Sequence, residues 1–143
     1  MGKGNRIKPP QGNSSRRIKP PSSHDSDTDY SKKPPIYSLE RLQQGKYCLS
    51  SLQKDDKAAF ADSIWKRRTI TWNDLNRCNR HKLGYEKITT NSIKAPLPPF
   101  ITEDEQNLIV FRYHNMKPMV GYRDKDIFYI LWFDHDFTLY NHS

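Results

Sequence analysis

Long hydrophobic runs are missing from this chain. Its longest uninterrupted apolar stretch is 127–133, far short of the roughly 20 residues a helix needs to cross a bilayer. The first residues carry no apolar stretch either, so no secretory signal is expected. Cysteine is scarce. Cys48 and Cys78 stand far apart without metal-ligand spacing, which predicts reduced thiols in a cytoplasmic protein rather than a disulfide. Glycine is also sparse, six in 143 residues. No phosphate-cradling glycine loop, dinucleotide fingerprint or nucleophile elbow is present. His135 next to Asp136 falls short of the three or four ligands a divalent metal usually takes, so neither metal nor other cofactor is expected. Acidic residues are outnumbered 16 to 24 by Lys and Arg, for a net charge of +8. That balance points to anionic partners: nucleic acid first, an acidic protein second, a membrane surface third.

What the chain does have is concentrated at its C-terminus. Residues 108–114 are β-branched and aromatic, as strands prefer. Asn115 and Met116 interrupt them before a second run that starts around Pro118. The polar tetrapeptide 123–126 is a turn signal, and 127–133 reads as a covered central strand. The connections are too short for parallel crossovers, so an antiparallel three-strand meander is expected. Alternation puts Arg112 with Leu108, Val110 and His114, and Arg123 with Met119 and Gly121. In a favourable register, one sheet face would carry both arginines. Residues 134–142 would then fold back over them, bringing two histidines and a tyrosine.

The N-terminal part differs in kind. Residues 1–35 hold six of the ten prolines and only four apolar or aromatic residues, Met1, Ile7, Ile18 and Tyr30. Such a segment buries too little surface to offset its chain entropy, and disorder is expected through residue 36. Arg6-Ile7-Lys8-Pro9-Pro10 recurs at 17–21, with an echo at 32–35. Through Tyr37 there are eight Lys or Arg against three Asp, leaving +5. A phosphate-binding arm, a polyproline ligand and a plain linker all fit this composition.

Between tail and meander, helices are predicted. One is a short helix at 39–42 ending before Gly45. A longer one opens near Ser50 or Ser51, with an apolar stripe of Phe60, Ala61, Ile64 and Trp65. A third, over 72–77, is capped by Thr71. Lys66, Arg67 and Arg68 suit the negative end of the long helix dipole and equally suit RNA contact. With Arg77, Arg80 and Lys82 they form a basic rim. Residues 85–88 read as a short strand, and the proline-rich 92–101 as an extended loop. The fold class is therefore α+β: N-terminal helices packed on a small antiparallel sheet, preceded by a disordered tail at 1–36.

The residue types at the C-terminus suit metal-independent RNA cleavage. That chemistry needs a base near a ribose 2′-hydroxyl, a cation at the phosphate and an acid for the leaving oxygen. His135, His142 and Tyr140 are the proton-transfer candidates, although a penultimate residue such as His142 also frays readily. Arg112, Arg123 and Lys117 are the phosphate candidates. Tyr113, Tyr122, Tyr129, Trp132 and Phe133 suit base stacking or a small sheet core.

Helices before a meander that reads Phe111-Arg112-Tyr113, Val120-Gly121-Tyr122-Arg123, Ile127 to Trp132, then Asp134-His135-Asp136 and Tyr140, resemble the RelE/ParE-like toxins of bacterial toxin–antitoxin modules. The resemblance covers the last third of the chain closely and the helices loosely. It implies a compact α+β domain at 37–143 and a cognate antitoxin. For RelE-type members it implies ribosome-dependent mRNA cleavage without metal. Arg123, His135 and Tyr140 would match the family's arginine and its C-terminal histidine and tyrosine. The long tail and the lack of an evident strand before the helices depart from that pattern, and Asp134 and Asp136 put negative charge beside the histidine. ParE-like members instead inhibit DNA gyrase. A non-catalytic basic module that binds nucleic acid or protein is the reading outside this family.

Overall fold

A computed structural model describes residues 28–102, 104–105 and 107–142 of the chain. The repeats at 6–10 and 17–21 lie outside the described residues. Five strands form one sheet: β1 Ile36–Ser38, β2 Tyr85–Thr89, β3 Asn107–His114, β4 Lys117–Asp124 and β5 Ile127–Phe133. Their order is β1-β5-β4-β3-β2. The expected meander is present as β3, β4 and β5, joined by tight turns at Asn115-Met116 and Lys125-Asp126. The sheet is larger than the three strands expected, however, and it is mixed. β2 pairs antiparallel with β3, and β1 lies parallel to β5. β1 was hidden because three residues after two prolines carry almost no periodic signal; its partner supplies the ladder.

The folded part also begins earlier than residue 37. Tyr30–Lys32 form a 3-10 turn capped by Asp29, whose carboxylate accepts from Ser31 N. Trp72 N donates to Lys33 O, and Ile36 N donates to Asp126 O. The boundary expected at 36 thus falls inside a hydrogen-bonded segment.

Two α-helices lie between β1 and β2: α1 Lys54–Arg67 and α2 Trp72–Arg77. α2 has the predicted bounds and the predicted Thr71 cap, which accepts from Asp74 N. No helix forms at 39–42. Leu42 N bonds back to Leu39 O in a single turn, too short to repay helix nucleation. The expected stripe on α1 holds only in part: Phe60 is buried and Ile64 packs against the same core, but the rest of the buried face differs. The buried residues are Asp56, Phe60, Ser63 and Arg67, while Ala61 faces solvent and Trp65 is 59% exposed. Charged residues occupy inward positions here because the sheet and the loop after α2 supply their partners.

Both sheet faces are covered. On one, Phe60, Trp72 and Leu75 pack with Phe111, Phe128 and Phe133. Ring centroids lie 4.8 Å apart for Phe60–Phe133 and 5.0 Å for Phe111–Phe128, in the edge-on geometry aromatic pairs favour. On the other face, Leu108, Val110, Val120 and Leu131 pack with Ile101, Leu139 and Tyr140. The proline-rich loop and the C-terminal segment form that layer, tied together by Lys94 N donating to Leu139 O. Of the aromatics with two readings, Tyr113, Tyr122, Trp132 and Phe133 are buried. No helix among the described residues is long and apolar enough to cross a membrane.

Two bulges break the alternation. In β3, Arg112 pairs with Pro118 but His114 with Lys117, so Tyr113 is extra. In β5, Trp132 pairs with Val120 and Ile130 with Gly121, so Leu131 is extra. Each inserted residue changes which face the following side chains take. His114 consequently points to α1 and not to the Arg112 face. Arg112 and Arg123 also part company. Arg112 shares the face of Val110, whereas Arg123 shares that of Met119 on the helical side.

Beside the second bulge the strands approach closely. A Cβ on Gly121 would sit 1.9 Å from Tyr129 O. Gly121→Ala is expected to cost about 1–3 kcal/mol, the penalty of forcing atoms into a packed core. Urea unfolding of the variant beside wild type measures it.

Candidate functional site

On the loop-covered face an open cleft of about 670 Å3 lies between β2, the end of β3 and the C-terminal segment. Arg112 stands at its floor, 8% exposed. Glu86 reaches it because β2 places Glu86 opposite Val110, on the same face and one pair away. Arg112 Nη2 donates to Glu86 Oε2 at 2.8 Å, and Arg80 Nη1 lies 3.6 Å from Glu86 Oε1. One carboxylate therefore sits between two guanidiniums. Arg112 Nη1 donates a long bond, 3.5 Å, to the Tyr140 hydroxyl. Its buried Nε has no acceptor among the described residues, a costly state for a charged group.

The C-terminal segment reaches the cleft through Asp134, which is fully buried. Asp134 Oδ1 accepts from Thr138 N and Leu139 N, closing the turn. Its Oδ2 lies 2.8 Å from His142 Nε2. The His142 and Tyr140 rings lie against each other, with centroids 3.9 Å apart and planes tilted by 34°. Burial pushes the Tyr140 hydroxyl above its ordinary pKa, against an opposing pull from Arg112. Tyr140 is therefore protonated at neutral pH and keeps a proton to donate. His81, from the loop after α2, also lines the cleft and accepts from Arg80 Nε at 3.3 Å. Three cations, Arg80, Lys87 and Arg112, line it against the carboxylate of Glu86.

Of the five residues expected to act in catalysis, Arg112, Tyr140 and His142 meet here. The other two do not. His135 lies away from the cleft lining, with Nε2 2.9 Å from Lys46 O and its ring beside Tyr47. The turn that brings Leu139 and Tyr140 over the sheet carries His135 to the other side of Asp134. Arg123 serves the opposite face. Its guanidinium stacks 4.3 Å from the Trp72 ring and donates to Lys125 O and Ser31 Oγ.

The expected RNA-contacting residues divide similarly. Arg67 is 1% exposed and spends its donors on the carbonyls of Lys82, Leu83 and Arg112 at 2.8–3.0 Å. It is a buried structural group and does not belong to a surface rim. Lys117 lies 2.9 Å from buried Asp56, which also holds His114 at 2.6 Å. Arg68 stacks on Trp65, Lys66 pairs with Asp62, and Arg77 pairs with Asp74. Arg80 lines the cleft described above, and Lys66 and Lys82 line a neighbouring one. Sequence reasoning passed over His81, Glu86 and the Asp134–His142 contact. Glu86 was within reach, since strand alternation at 85–88 separates it from Tyr85 and Lys87.

Comparison of the chain with models of protein families, with curated proteins and with solved structures finds no match.

Arg67→Met keeps most of the side-chain volume but strands three backbone carbonyls. It is expected to cost about 3–9 kcal/mol, taking 1–3 kcal/mol for each of the three groups left unpaired, measured by denaturant unfolding. Asp56 gives a pH signature. Burial works to raise its pKa, but hydrogen bonds from His114 and Lys117 outweigh it and leave the carboxyl below its ordinary value. Its stabilising contribution is therefore complete above pH about 4, the unfolded value, and fades as pH falls through the depressed folded value. Asp56→Asn should flatten the stability–pH curve in that acid range and cost about 1–3 kcal/mol at pH 7.

Proposed function

We propose that the protein is a toxin-like endoribonuclease that cleaves mRNA without a metal, with the cleft around Arg112 as its site. The observation that carries the reading is the convergence of Arg112, Tyr140 and His142 with Arg80 and His81 on one cleft. In this reading Arg112 and Arg80 hold the scissile phosphate and meet the charge that builds there. His142, oriented by Asp134, takes the 2′-hydroxyl proton. The 2′-oxygen attacks phosphorus, the bond to the 5′-oxygen breaks, and His81, which in its protonated form gives up the bond from Arg80, protonates the leaving oxygen. The products are a 2′,3′-cyclic phosphate and a 5′-hydroxyl. Protonated Tyr140 donates to a phosphate oxygen.

The resemblance to RelE-like toxins adds two partners, mRNA on the ribosome and a neutralising antitoxin, and it places the activity in the cytoplasm. His135 and Arg123 have no part in the chemistry of this reading. One observation favours a second reading. Glu86 already sits between Arg80 and Arg112, and His142 is engaged by Asp134, which suits a basic module that binds without cleaving.

His142→Ala, His81→Ala and Arg112→Lys should each reduce cleavage of single-stranded RNA by about 100-fold or more, as loss of an acid, base or phosphate group does. His135→Ala should leave it intact. Growth arrest on induced expression in bacteria and mapping of new mRNA 5′ ends provide the cellular readout. Full cleavage in both histidine variants would overturn the site. Salt-sensitive RNA binding with no cleavage by wild type moves the protein to the binding-module reading.

A further inference from the structure

A second cleft of about 550 Å3 opens along the C-terminal half of α1, lined by Lys66, Lys82, His81, His114 and Arg112 with the single carboxylate of Asp62. His81 and Arg112 line this cleft and the first one alike. The two openings therefore share two residues that the proposed chemistry places at the scissile bond. Phe137 also lines the first cleft. Its ring is edge-on to His142, with centroids 5.2 Å apart and planes at 88°, and it is 43% exposed. Its backbone has φ +61°. Bulky side chains avoid the left-handed region, where they cost about 1–3 kcal/mol, and such strain gathers at functional sites. An exposed aromatic ring is thus held in a strained conformation in the lining of a cationic cleft, where burial cannot account for it.

We propose that the two clefts form one continuous track for single-stranded RNA, in which Lys66 and Lys82 follow the backbone on one side of Arg112 and Phe137 stacks a nucleobase on the other. The inference rests on the endoribonuclease reading and adds the path of the substrate strand and the residues that hold it. Cations spaced along a groove neutralise successive phosphates, and an aromatic face accepts any base. Unpaired bases offer such faces, whereas those of a duplex stay stacked.

The test uses the full chain and a short 2′-O-methyl RNA, which lacks the attacking hydroxyl, carrying 2-aminopurine at successive positions. At one position wild type should quench the fluorophore by stacking. Phe137→Gly relieves the backbone strain, so its thermal unfolding should be unchanged or raised. It should nevertheless lose the quench and bind about 5- to 100-fold more weakly. Lys66→Gln and Lys82→Gln should each lower the slope of log affinity against log salt by about 0.7. The same sequence as a duplex should bind at least about tenfold more weakly than the single strand. Unchanged binding in Phe137→Gly, or unchanged slopes in both lysine variants, would overturn the track. If Arg112→Lys still loses cleavage, the endoribonuclease reading survives that result. No binding of either RNA form by wild type would overturn both.

Discussion

The Arg67 guanidinium is the constraint on which the arrangement of the candidate site depends. It sits at the last residue of α1, nearly inaccessible, and donates to Lys82 O, Leu83 O and Arg112 O. Its charged plane also lies 4.8 Å from the Phe111 ring centroid. One side chain thus joins the long helix, the loop that carries Arg80 and His81, and the strand that carries Arg112. A guanidinium suits this task because its planar fork presents several donors at fixed angles. Its burial is costly, and the cost is offset because the carbonyls it meets also need donors. The loop after α2 contains no long apolar side chain except Leu83, which packs against the core, so the hydrogen bonds from Arg67 supply much of what holds it.

The same economy governs much of the basic charge. Net charge suggested a surface rim of Lys and Arg, yet several of those groups are committed within the fold. Arg67 ties a loop, Arg123 ties the β4–β5 turn to the N-terminal segment, and Lys117 pairs with buried Asp56, which also faces His114. What remains toward solvent near Arg112 is a shorter set. Two hydrophobic layers make this possible. The helical layer covers the Phe111 face, and the C-terminal segment covers the Val110 face while keeping Tyr140 and His142 beside Arg112. Asp134 closes that segment onto the sheet by accepting two backbone N–H groups and facing His142.

Legibility followed the range of the interactions involved. The β3–β4–β5 meander and α2 were readable because short turns and a side-chain cap are local. β1 was not, because its three residues are a strand only by virtue of β5. Half of the α1 stripe, Ala61 and Trp65, was misread for a related reason. Ala61 and Trp65 have the composition of a buried face, while Asp56 and Arg67 do not. Partners on β3, β4 and the loop after α2 make the polar pair the inner one. Alternation placed Arg112 and Arg123 correctly within their own strands. The register between the strands put them on opposite sides, and the bulge at Tyr113 moved His114 away from Arg112.

The amino-acid sequence by itself determined the α+β class, the position of the meander and the excess of positive charge, since these follow from periodicity, turn chemistry and composition. It also named Arg112, Tyr140 and His142 by residue type. Only the tertiary structure decided that these three meet, that Arg80, His81 and Glu86 join them, and that His135 and Arg123 do not. The physical reason is that a site is made of distances between residues remote in the chain. Those distances are set by strand register, by two bulges, and by where buried groups such as Arg67 and Asp134 find their hydrogen-bond partners.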